Sequence, residues 1–303
     1  MGRFVKRMFV LLVFACSLIA EAPGEENGVI NLGGGSQADI IYGLVMTSFY
    51  NRSFDNTEGV IDAGLAKTEA GDPNRIRLAM ALAKLGRPQA EKALDLIKGW
   101  DGEFTDMDEA LRFASMGELN LYYLDNPGEA ITCFETVIQR YPAFASPMFA
   151  SLFNIYTGTR EFLNEEKARN CLARPAGGKN DVRAFFNEAI FRAMTGNAEA
   201  REATAYYTGQ ISAKQEALKT YIAPAWGWLG DADKVVACLE PGLKEQAIMY
   251  APDGFRLYCN WIRQSPAYDS IREDEKFTAM WERLYEYEPE GRGANIMMPM
   301  PKE

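Results

Sequence analysis

No histidine occurs in the 303 residues. Its absence removes imidazole general bases, Ser-His-Asp and Cys-His nucleophile pairs, and every histidine metal site. Cysteine is sparse as well: five residues, Cys16, Cys133, Cys171, Cys238 and Cys259, include no Cys-x-x-Cys pair. That spacing excludes a zinc ribbon and a thioredoxin-type couple. Basic residues are outnumbered, 32 Lys and Arg against 42 Asp and Glu, for a net charge of −10. Such a surface repels phosphate backbones and anionic headgroups, so neither nucleic acid nor a lipid surface is an expected partner. Phosphate-loop, nucleophile-elbow, calcium-loop and dinucleotide fingerprints are missing; Gly33-Gly34-Gly35 follows no strand and is not a phosphate cradle. No cofactor and no metal is expected.

What the chain does have begins at its N-terminus. Arg3, Lys6 and Arg7 precede an apolar run from Met8 to Ala20 that Glu21 ends. The run is shorter than the roughly 20 residues a membrane-spanning helix requires, and charge confined to its front is the pattern of an export signal. Residues 1–20 are therefore read as a leader to a periplasmic or membrane-anchored destination. Ala15-Cys16 resembles the small-residue-cysteine junction of bacterial lipoproteins, which makes Cys16 the candidate for lipidation. Ala20-Glu21-Ala22 and the bond after Ser17 offer ordinary cleavage instead, and both routes stay open. The four remaining cysteines are either core residues or two bridges in an oxidising compartment.

Residues 21–37, rich in Gly, Pro, Glu and Asn, read as a tether, and 287–303 as a disordered tail. Between them apolar residues recur at three and four, alternation is nearly absent, and Ala, Leu, Glu and Lys dominate, so 38–286 reads as helical throughout. Turn signals fall at Ser53, Gly86, Asp125, Gly158, Gly196 and Gly230, spaced 33 to 39 residues apart, with a weaker break inside each interval. Two helices per period predict an all-α fold, an α-solenoid of about six to seven antiparallel helix pairs whose units cannot bury their apolar faces alone. Pro241-Gly242 is expected to break its helix early.

Within Asn126 to Pro142, Ala130 is followed by Phe134, Val137 and a helix-ending Pro142. This resembles the second helix of a tetratricopeptide repeat: Ala130 allows close approach, Phe134 fills the groove between the paired helices, and Pro142 cannot continue the turn. Further on, Tyr221 to Asp233 and Trp261 to Met280 resemble the closing part of tetratricopeptide modules of bacterial sensory proteins. The resemblance implies a right-handed superhelix, Tyr268 and Phe277 packed under the last helices, Asp269 and Arg272 tying a turn, and Asp274 capping a helix. It also implies a tendency to bind protein partners, with no activity attached.

Candidate contacts are aromatic side chains on the first helix of each pair, which line the concave face in such an array. Tyr122 and Tyr123, about 100° apart on a helix, cannot be equally buried; Trp226 and Trp228 diverge likewise, and Arg112 is a possible polar companion. The expected function is non-catalytic scaffolding through protein–protein interaction at the bacterial envelope. The alternative is a helical solute-binding protein or a carboxylate-dependent hydrolase with a small or carbohydrate ligand in the groove. The acidic cluster Asp101, Glu103, Asp106, Asp108 and Glu109 sits where a helix N-terminus favours acid, so capping accounts for it.

Overall fold

The computed structural model describes residues 30–31, 37–68, 72, 74–100, 104–173, 182–212, 217–289 and 296–297. The leader with Cys16, and most of the tether and tail, lie outside them, as do Asp101 and Glu103. Among the described residues the fold is all-helical apart from a two-residue parallel pairing of β1 (Ile30–Asn31) with β2 (Ile296–Met297). That pairing joins a point in the expected tether to a point in the expected tail.

The helices fall in order: α1 (Gln37–Tyr50), α2 (Thr57–Lys67), α3 (Asn74–Ala83), α4 (Arg87–Lys98), α5 (Asp106–Tyr122), α6 (Pro127–Arg140) and α7 (Ser146–Gly158). There follow α8 (Glu165–Leu172), α9 (Val182–Met194), α10 (Ala200–Gln210), α11 (Lys219–Trp228), α12 (Ala232–Gln246), α13 (Pro252–Arg263) and α14 (Glu275–Tyr285). Local chemistry starts many of them. Thr105 and Asp108 form a reciprocal capping box for α5, and Asn126, Asn164, Asp231 and Asp274 accept backbone N–H bonds at the starts of α6, α8, α12 and α14. The turns between α1–α2, α5–α6, α9–α10 and α11–α12 carry left-handed backbone at Arg52, Asp125, Gly196 and Gly230, with φ of 57°, 55°, 68° and 69°. These are four of the six expected period positions, displaced by one residue at the first; Gly86 stands directly before α4 and Gly158 is the last residue of α7.

Successive helices pack together without a break from α1 through α12, and α1–α3, α3–α5, α7–α9 and α9–α11 touch across one intervening helix. At the unit singled out from sequence, Ala130 and Phe134 are fully buried. A Cβ on Gly117 of α5 would lie 2.5 Å from the Phe134 ring, so the missing side chain lets the ring seat between α5 and α6. α6 ends at Arg140, and Pro142 opens a 3₁₀ turn.

Pro241 corrects one expectation: α12 runs on to Gln246. Proline withholds one N–H, but Val235, Cys238, Leu239 and Leu243 are buried along one continuous face, and that packing outweighs the lost bond.

After α12 the chain leaves the order of the array. Residues 247–249 turn against α1, where Ile248 packs with Met46 and Tyr50, and Arg52 donates to the carbonyls of Ala247 (3.3 Å) and Tyr250 (2.7 Å). The Ala251 N–H then donates to the Lys84 carbonyl at the end of α3, and α13 packs on α4 and α5. The following turn, Pro266–Ile271, sits on α7 and α11, with Tyr268 buried and Arg272 bound to Asp269 and to the carbonyls of Arg263 and Ser265. α14 returns to α12, holding Phe277 in the core. The last fifth of the chain thus reaches back to the first helix, across the ends of α1, α3, α5 and α7.

Candidate functional site

Where α13 crosses the end of α5, aromatic side chains from distant parts of the sequence meet. Tyr122 stands nearly perpendicular to Trp261, centroids 4.8 Å apart at 87°, and at 65° to Tyr258. With Tyr221 from α11 and Tyr268 they wall a chamber of about 90 Å³ between α5, α7, α11 and α13. Polar side chains reach it too: Asn154, Thr157, Thr220 and Ser265. The Thr157 hydroxyl already donates to the Phe153 carbonyl (2.9 Å), Thr220 to Ala217 (2.7 Å), and the Ser265 oxygen accepts from Ala267 N–H (3.3 Å). Trp261 and Gly158 also line a wider cleft of about 380 Å³, whose rim carries Asp125, Arg160, Glu161 and Arg272. There Asp269 accepts from both Arg160 (2.6 Å) and Arg272 (2.7 Å), which hold its carboxyl below the usual range although burial alone would raise it.

Beneath the N-terminal half of α13 lies a buried polar group. Lys84 is 2% exposed, and burial pulls its amine down to about 8 against the opposing pull of the buried Glu118 carboxylate. Its ammonium lies 5.5 Å from the Tyr250 ring, and the Tyr123 and Tyr250 hydroxyls share a hydrogen bond. Burial drives both phenols far above their ordinary range. The thiols behave in the same way. Cys133, Cys171, Cys238 and Cys259 are buried and form no disulfide, and burial raises Cys133 and Cys171 to about 11, too high for a resting thiolate nucleophile.

The residues named from sequence therefore divide. Tyr122 is half-buried and lines the chamber, whereas Tyr123 is 3% exposed and belongs to the core under α13. Trp226 is buried and donates to Thr208 Oγ1 (3.1 Å); Trp228 is half-buried, with its indole N–H enclosed. Arg112 donates to the carbonyls of Ile97 and Lys98 and to Glu109, so it caps the end of α4. Among these five candidates, Tyr122 alone lines a cavity described here. Asp108 and Glu109 are engaged in the capping box and with Arg112.

A second aromatic group was not singled out from sequence. On α9 and α10, Phe185 (43% exposed) stacks on Tyr207 at 5.4 Å, and Tyr206 (63% exposed) packs edge-on against Tyr207. The adjacent pair Tyr206-Tyr207 carries the same divergence signal as Tyr122-Tyr123, so the means of finding it was present in the chain.

Among the described residues no group of His, Cys, Asp or Glu is arranged to hold a metal ion, and no helix is long and apolar enough to cross a membrane. Fold and cavities define, among the described residues, an all-helical protein with one small chamber walled by aromatic rings beside wider clefts lined mainly by polar and charged side chains. Comparison with protein-family models, curated proteins and solved structures found no match to the chain.

Proposed function

We propose that this chain is an exported, non-catalytic, tetratricopeptide-like protein that binds protein partners at a bacterial cell envelope. The helix pairs would form a right-handed array, supported by the 33 to 39 residue spacing and by left-handed turns recurring between paired helices. The charged, short apolar leader supports export, and Cys16 supports a lipid anchor.

One observation carries the partner-binding reading: Phe185 and Tyr206 face outward on either side of the half-buried Tyr207 and form with it a contiguous aromatic patch. Large aromatic side chains are the commonest anchors of protein interfaces, and a monomer seldom groups them on its surface without use. Affinity purification from the native envelope, comparing the wild type with a Phe185→Ala/Tyr206→Ala variant, tests it. Loss of specific partners in a folded variant is expected; an unchanged partner set would refute this surface.

A further inference from the structure

We infer that the chamber between α5, α7, α11 and α13 is a binding site for a small quaternary ammonium compound, its trimethylammonium head enclosed by Tyr122, Tyr221, Tyr258 and Trp261. The assignment stands on the chamber alone and does not depend on the partner surface at α9–α10.

Several features converge on that chemistry. The rings meet at 65° to 87° and form corners, an arrangement that presents more than one aromatic wall to a common space. A diffuse cation is attracted to such faces, and desolvation strengthens the attraction. The volume of about 90 Å³ is several times the roughly 10–15 Å³ that a single water needs in a cavity, so the chamber admits a group larger than water. No charged side chain lines the chamber among the described residues, so a bare carboxylate or phosphate would enter without a counter-charge.

Two of the polar lining groups also have the right sense. Thr157 and Thr220 have spent their hydrogens on backbone carbonyls, leaving lone pairs as their remaining capacity. Pro224, which lines the chamber within α11, has no N–H to give to the Thr220 carbonyl one turn earlier. The last turns of α5, α7 and α13 contribute Tyr122, Thr157 and Trp261, and helix C-termini favour positive charge; the first turn of α11 opposes them. Three negative ends against one positive end leave a cation favoured. Tyr122, Tyr221 and Trp261 are only half-buried, so the walls are reachable from outside, and the adjoining cleft of about 380 Å³ leaves room for the rest of the molecule.

Calorimetric titration of the full chain with choline, and with its neutral isostere 3,3-dimethylbutan-1-ol, separates charge from shape. Saturable choline binding at least tenfold tighter than the alcohol is expected. Trp261→Leu should weaken choline at least tenfold while Trp261→Phe, which keeps a ring, retains most of the affinity; Tyr221→Leu replaces Trp261→Leu if that variant does not fold. Absence of saturable choline binding, equal binding of the alcohol, or indifference to loss of the ring would overturn the assignment. A trimethyl-lysine peptide binding more than tenfold tighter than choline would overturn the small-solute assignment. Partner capture through Phe185 and Tyr206 should survive Trp261→Leu, so the two readings fail separately.

Discussion

Lys84 is a primary amine with 2% exposure, set against the buried Glu118 carboxylate and the Tyr250 ring. Removing a buried carboxylate whose charge supports a buried ammonium leaves that ammonium less compensated, at a cost of up to about 3–5 kcal/mol, whereas replacing both with apolar groups costs far less. Glu118→Leu should therefore be severely destabilising at pH 7, and Lys84→Met in addition should recover most of the loss. The pH dependence has a definite sign. The folded amine releases its proton near 8 while the unfolded chain holds it to about 10.5, so stability tied to this group rises with pH across that window. The penalty of Glu118→Leu should accordingly shrink between pH 7 and pH 9.5. Urea midpoints at the two pH values check it; an equal penalty at both would mean that the amine is not the charged partner. Neither residue drew notice in the sequence, since one Lys and one Glu thirty-four positions apart look like any two surface residues.

At the scale of elements, close approach decides where α13 can lie. A Cβ on Gly254 would fall 1.9 Å from the Lys84 carbonyl oxygen, and a backbone atom cannot swing away as a side-chain tip can. Gly254→Ala should force α13 off the end of α3 at a cost of about 3 kcal/mol, the upper range for overpacking. Gly59, in α2, has nothing within 4 Å of its added Cβ, so Gly59→Ala should stabilise by about 0.5 kcal/mol through the unfolded state. Thermal unfolding of the two variants separates them by direction. Helix existence, caps and most turns were legible, because Asn126, Asp231 and Asp274 act within their own four residues. Pro241 misled because its effect depends on what the other face of α12 buries, and local sequence carries no record of that.

The whole molecule is closed by contacts between parts of the chain nearly two hundred residues apart. Arg52 reaches Ala247 and Tyr250 across separations of 195 and 198 positions, and Met46 and Tyr50 pack with Ile248. Arg52→Ala should loosen both ends of that contact together. Hydrogen exchange is expected to quicken in 41–57 and in 247–251, with α10 and α14 unchanged; acceleration confined to one side would show that α1 is held independently. The same closure explains why the candidate groove was only partly legible. An open array would have left Tyr123 facing a partner, whereas α13 covers it and leaves Tyr122 at a chamber wall.

The sequence by itself determined the all-helical class, the spacing of the turns and the cap at Asp274, because each follows from periodicity or from neighbours a few positions away; that the four cysteines are unbridged core residues was decided by the tertiary structure. It also removed imidazole chemistry outright, through the missing histidine. The tertiary structure decided which aromatics became core and which became walls, by carrying residues 247–271 back over the ends of α1, α3, α5 and α7. That path rests on a hydrogen bond to one carbonyl, a glycine with no room for a methyl group and an arginine bridging two distant segments. Each is a contact between residues far apart in the chain, and helical periodicity contains no information about such pairs.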